Sequence, residues 1–144
     1  MESKKYIINR TTMGFALLTA VIHILFFVAE SLLWLEPNIH ENILSESASL
    51  DVDILTQAQI METVFFNQGF YNLFLALGIF LGLFLNKTDN KVMGFTLVAY
   101  ICTFALGAAV VLALSTGAIL GAVVQGLPGM IVLVLLYLDM SKES

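Results

Sequence analysis

The chain has 144 residues, of which 59% are apolar and only 12% charged, with a mean hydropathy of +0.93; a soluble domain carries roughly 25% charged residues. So little polar surface does not wrap a water-soluble domain of this size, and the composition specifies an integral membrane protein. Six basic against eleven acidic residues leave a net charge of −5, which gives no support to nucleic acid as a partner, and the single cysteine, Cys102, leaves no intrachain disulfide or two-thiol redox centre.

The apolar residues fall in four long blocks separated by short polar intervals. The first, residues 11–35, is long for the apolar stretch of a signal peptide and has no small-residue cleavage site after it, so it reads as a retained span. It ends at Glu36-Pro37, where proline and the restriction on its predecessor stop a helix. The second block, residues 64–85, is expected to belong to a longer helix that begins near Asp51 or Asp53. Either aspartate suits an N-cap, and the first turns of that helix then stand clear of the membrane.

The third and fourth blocks, residues 92–114 and 118–138, are separated by Ser115-Thr116-Gly117, enough for a tight helical hairpin. Each block supplies the approximately 20 residues that a hydrocarbon core of about 30 Å requires. Lipid offers no partner to an unpaired backbone amide, and the alternating ten-residue strands of a barrel are absent, so all four blocks are expected to be helices. The expected fold is all-α, an integral membrane four-helix bundle forming a single domain over residues 1–144.

Lys4, Lys5 and Arg10 precede the first span, Lys87 and Lys91 lie between the second and third, and Lys142 follows the fourth. Residues 36–63 contain no Lys or Arg and carry Glu36, Glu41, Glu46, Asp51, Asp53 and Glu62. The positive-inside rule therefore assigns both termini to the cytoplasm of a multi-pass cell-membrane protein, with the acidic loop, read as a solvated segment, and the short hairpin outside. The pairs Gly78/Gly82 and Gly117/Gly121 are compatible with close helix approach within the chain or with a homodimer through glycine-rich faces.

Function is sought where the sequence accepts a penalty, because an ionisable group at the centre of a span costs about 2.5–3.5 kcal/mol on insertion scales. His23 and Glu30 meet that description. They are two helical turns apart, so they share one face at a separation of about 10 Å along the axis. Thr12, Ala16, Thr19 and Trp34 fall on or near this stripe, whereas Leu17, Leu18, Leu25, Leu32 and Leu33 crowd other faces. Asn67, Gln68, Tyr71 and Asn72 lie within one arc of about 140° at the start of the second span.

Gln125 stands between Gly121 and Gly129, and Pro128 cannot donate to the carbonyl of Val124, which leaves an acceptor free nearby. Tyr100 and Thr103 share a face with Gly107 and read as packing. With this topology, Glu30, the Asn67 to Asn72 group and Gln125 share the outer leaflet. The expectation is a polar pocket there, closed near the midplane by His23 and rimmed by Trp34. Its carboxamides, phenol and carboxyl either hold a ligand or bond to one another as interhelical glue. No cofactor or metal is expected: His23 and Glu30 supply at most two ligands, and His40 lies beyond Pro37.

His23, Glu30 and Trp34-Leu35-Glu36-Pro37, followed by Asn67-Gln68-Gly69-Phe70-Tyr71-Asn72 and Gln125-Gly126-Leu127-Pro128, resemble the small bacterial membrane proteins grouped as domain of unknown function 1304. The resemblance runs from the first span to the fourth, and the Asn-Gln-Gly-x-Tyr-Asn segment is its most specific part. Phe70 stands where leucine is more familiar, and the first outer loop is longer and more acidic. The resemblance implies a four-helix membrane protein, related in architecture to bundles such as the DoxX-like proteins, and supplies no reaction.

Three functions compete on these residues. The leading one is binding or transport of a small, partly apolar or cationic molecule, with membrane lipid around it and with Glu30 and His23 changing protonation as the molecule arrives. A carboxyl group in a poorly hydrated site tends to hold its proton, and a cation favours its release. The second is a membrane enzyme acting on a lipid-like substrate. The separation of Glu30 from His23 weighs against it, because acid–base work needs both groups within hydrogen-bond reach of the reacting atoms. The third is a structural or accessory subunit whose polar residues specify helix pairing.

Overall fold

The first helix begins where a side chain can replace a missing backbone partner: Asn9 accepts the Thr12 N–H at 2.9 Å and caps α1 (Arg10–Phe27). The computed structural model describes residues 6–44 and 52–142; Lys4, Lys5, Glu46 and Asp51, to which charge and capping roles were assigned above, lie outside them. The chain leaves α1 through a widened π turn over Val28–Leu32, in which the Leu33 N–H donates to the Val28 carbonyl at 3.0 Å. The first span therefore stops short of residue 35.

Pro37 does not end that helix but begins α2 (Pro37–Leu44). At a first helical position proline gives up an N–H that would be unpaired in any case, and the Glu36 carbonyl accepts the Ile39 and His40 N–H groups at 2.9 and 3.2 Å. The acidic segment, expected as a solvated loop, is thus helical in part, because Ile39, Ile43 and Leu44 give it an apolar side to bury.

Asp53 caps α3 (Ile54–Asn86), accepting the Thr56 N–H at 3.0 Å. At 33 residues this helix is about 50 Å long, longer than a hydrocarbon core of about 30 Å requires; its first turns carry the outer packing. They pack with α2 and with the turn after α1 in a separate apolar cluster built on Trp34, Leu44 and Ala58. α4 (Lys91–Thr116) ends at Gly117, whose φ of +75° is a left-handed conformation that glycine adopts without strain. α5 (Ile119–Lys142) follows at once and runs through Pro128.

Among the described residues, α1, α3, α4 and α5 are long and apolar enough to cross a membrane, and the protein is an all-α, multi-pass membrane protein. These four helices form a ring in which each packs on its chain neighbour and α5 closes against α1. The centre is built from small side chains, Ala16, Ala20, Ala76 and Cys102, around Ile79, Val98 and Val132. Small residues permit the close helix approach that replaces the hydrophobic effect inside lipid. Leu17, Leu18, Leu25, Leu32 and Leu33 face outward. Gly78 and Gly82 turn to Ile101 and Val98 of α4 in the same chain, and Gly121 lies against Leu112.

One end of the ring is tied by polar contacts. The Asn86 side chain accepts the Ile8 N–H at 2.9 Å and donates to the carbonyls of Tyr6 and Lys91 at 2.7 and 3.0 Å. Asn9 donates to Asp139 across to α5. Arg10, Lys87, Lys91 and Lys142 therefore gather at this end, and the Trp34 cluster lies at the other.

Candidate functional site

Two adjacent side chains on the π turn engage α3. Ser31 Oγ donates to the Phe66 carbonyl at 2.7 Å, and Glu30 Oε2 accepts from Asn72 Nδ2 at 2.9 Å. Widened turns of this kind recur at functional positions because they add a residue to one turn and re-aim its side chains. The approach is close: a Cβ on Gly69 would collide with Ser31 Oγ and stand 3.0 Å from the Ser31 backbone nitrogen. Gly69, the glycine of the Asn-Gln-Gly-x-Tyr-Asn segment, thus lets the π turn lie directly on the α3 backbone.

Asn72 also faces the other way. With Gln68 and Tyr71 of α3 and Gln125 of α5 it forms the polar part of a recess of about 210 Å³. Phe74 and Leu75 of α3 and Phe104 and Ala108 of α4 form its apolar part. Tyr71, Phe74 and Phe104 remain largely exposed on its margin, so the recess opens sideways, toward the lipid-facing surface. Among the described residues the side chains of Gln68, Tyr71 and Gln125 make no hydrogen bond. Their donors and acceptors are available to another molecule.

The fold brings Glu30, Gln68, Tyr71, Asn72 and Gln125 to one place, with Glu30 behind Asn72 rather than on the recess wall. Asn67 is exposed on another face and donates to the Thr63 carbonyl at 3.0 Å. Trp34, expected at the pocket rim, is 3% exposed in the outer cluster instead. Its Nε1 donates to the Ala58 carbonyl at 2.8 Å and its ring stacks on Phe65 at 3.7 Å between centroids. His40 Nδ1 lies 3.2 Å from the Trp34 carbonyl and closes the same cluster.

His23 is fully buried within the ring, with Thr12, Ala16 and Thr19 buried along the same stripe. Its Nδ1 lies 2.8 Å from the Thr19 carbonyl. A carbonyl only accepts, so this nitrogen carries the hydrogen, and Nε2 has no partner among the described residues. His23 is not on the recess wall. Tyr100 and Thr103 are exposed, and the α4 residues that reach the recess are Phe104 and Ala108.

Several contributors carry no signal of their own in the sequence. Ser31, Phe74, Leu75, Phe104 and Ala108 are ordinary residues of a membrane span, and nothing in composition or spacing selects them. Asn86 is different: an asparagine closing a long apolar block is the kind of residue that pairs backbone groups left free at helix ends.

The family model described as "Protein of unknown function (DUF1304)" matches residues 17–137 of the chain. This stretch contains both faces of the Glu30 and Asn72 contact and every residue of the recess. Comparison with curated proteins and with solved structures gives no match.

Proposed function

The chain belongs to the DUF1304 family of proteins of unknown function, and from that premise we propose that it holds a small, partly apolar or cationic molecule in the recess between α3, α4 and α5, in a binding or transport role at the cell membrane. One observation carries the reading: Asn72 occupies the recess wall with one face and bonds Glu30 with its amide nitrogen. A molecule in the recess thereby meets side chains whose hydrogen-bonding groups are not engaged, at one amide's remove from a carboxyl group. Sites for small molecules combine an apolar lining with a few placed polar groups in this way.

Both termini lie in the cytoplasm in this reading, and the recess lies in the outer leaflet. Support comes from the basic residues, which gather at the end of the ring tied by Asn86. The positive-inside rule puts that end in the cytoplasm. The lateral opening suits a molecule that arrives from the lipid phase.

Benzophenone tests the recess directly, being small, mostly apolar and able to accept a hydrogen bond through its ketone. On illumination of the full-length protein in lipid nanodiscs, adducts are expected to concentrate on Phe74, Leu75, Phe104 and Ala108 and to fall when Gln125 is replaced by leucine. Adducts spread evenly over the lipid-facing residues of all four helices would overturn the proposal and leave a bundle whose polar groups serve only to join helices.

A further inference from the structure

We infer, resting on the reading of this recess as a binding site, that its occupant is an organic cation, a quaternary or tertiary ammonium group with an apolar arm. The charges of the chain point that way first. No Lys or Arg occurs between Arg10 and Lys87, or between Lys91 and Lys142, so neither the π turn nor any wall of the recess carries a positive side chain. Among the described residues the Glu30 carboxyl is answered by an amide, Asn72, and by no cation. An anionic guest would meet a carboxyl group and no counter-charge.

The lining is chosen for the same guest. Asn72 gives an N–H to Glu30 while its oxygen accepts no hydrogen bond among the described residues, and an amide that donates to a carboxyl group is a stronger acceptor. Gln68 and Gln125 can each present an oxygen. Tyr71 and Phe74 of α3 and Phe104 of α4 supply aromatic rings to the lining. Ring faces attract ammonium groups most strongly where water is excluded. The carboxylates at the same end of the bundle, Glu36, Glu41, Asp53 and Glu62, give the approach a negative potential.

The test compares 4-fluorobenzyltrimethylammonium with its uncharged isostere, 1-fluoro-4-neopentylbenzene, by fluorine NMR with the full-length protein in nanodiscs, after subtraction of partitioning into empty nanodiscs. The cation is expected to bind at least about tenfold more tightly than the isostere, and Glu30→Gln to remove about that factor for the cation alone. Equal affinities, or a cation affinity indifferent to Glu30→Gln, overturn the inference. So does failure of both probes to bind, and retained benzophenone labelling of the recess would then leave the binding reading standing. Where Glu30→Gln does not fold, Gln125→Lys serves: it is expected to abolish binding of the cation and spare the isostere, and equal loss of both overturns the inference.

Discussion

Glu30 on the π turn and Asn72 on α3 are forty-two residues apart in the chain and joined by a hydrogen bond of 2.9 Å. Hydrogen bonds between membrane helices contribute about 0.6 kcal/mol on average and up to about 1.7 kcal/mol, because the separated helices also find partners in the membrane. Replacing Asn72 by alanine is therefore expected to cost about 1 kcal/mol. A double-mutant cycle with Glu30→Ala, read by unfolding in mixed micelles, is expected to give a coupling of about 0.5–1.5 kcal/mol. Strict additivity would show that the contact carries no energy.

The contact at Gly69 makes a steric prediction. Gly69→Ala pushes a methyl group into Ser31 and is expected to destabilise the bundle by about 1–3 kcal/mol, as overpacking does elsewhere. Ser31→Gly in the same chain removes the collision with Oγ but not the 3.0 Å approach to the Ser31 nitrogen, and is expected to recover part of the loss. A Gly69→Ala variant as stable as the unaltered protein would mean that the π turn does not meet α3 at Gly69.

Trp34 is the one tryptophan of the chain, so its fluorescence reports the outer cluster without interference. Burial against Phe65 and bonding to Ala58 predict a blue-shifted emission that iodide hardly quenches. Phe65→Ala is expected to shift the emission to the red and admit the quencher. Trp34→Phe removes the bond to Ala58 and is expected to cost about 1 kcal/mol. Free quenching in the unaltered protein would contradict the cluster.

Acid should loosen the start of α3. The Thr56 backbone N–H, and then its hydroxyl, donate to Asp53 and hold this carboxyl below its ordinary range. A carboxyl lowered in the folded state gives stability that is fully present above its unfolded pKa and is lost as pH falls through the folded value. Amide exchange at Thr56 and Gln57, corrected for intrinsic pH dependence, is expected to speed up in that acidic window. Asp53→Asn keeps the cap and is expected to abolish the dependence; a dependence that survives it would assign the titration to another group.

At the opposite end, Asn86→Ala removes three hydrogen bonds at once. Water reaches that end and replaces part of them, so the expected cost is about 1–2 kcal/mol. The amide of Ile8 should lose its protection from exchange while the centre of α1 keeps its own. Uniform loss along α1 would instead tie Asn86 to the whole ring.

The polar residues of the site were only partly legible. Asn72, Gln68, Tyr71 and Gln125 stood out because amides and phenols are rare in apolar blocks, and they share a recess because their helical spacing turned them to one side. Asn67 obeyed the same spacing yet lies on another face, since the arc of a helix does not say where its neighbours sit. Phe104 and Ala108 resemble every other residue of α4, and only the packing of α3 and α5 against that helix selected them.

The order of residues alone fixed what depends on local composition: four apolar helices, their connections, and the basic residues that mark one end. Hydropathy and charge are properties of short segments, so they can be read without knowing the fold. Only the tertiary structure decided the π turn, the helix that begins at Pro37, the withdrawal of Trp34 into the outer cluster and the meeting of Glu30 with Asn72. Each of these depends on how far two distant segments approach and how each is rotated about its axis. That is set by side-chain volume at the contact, here by the absence of a Cβ at Gly69.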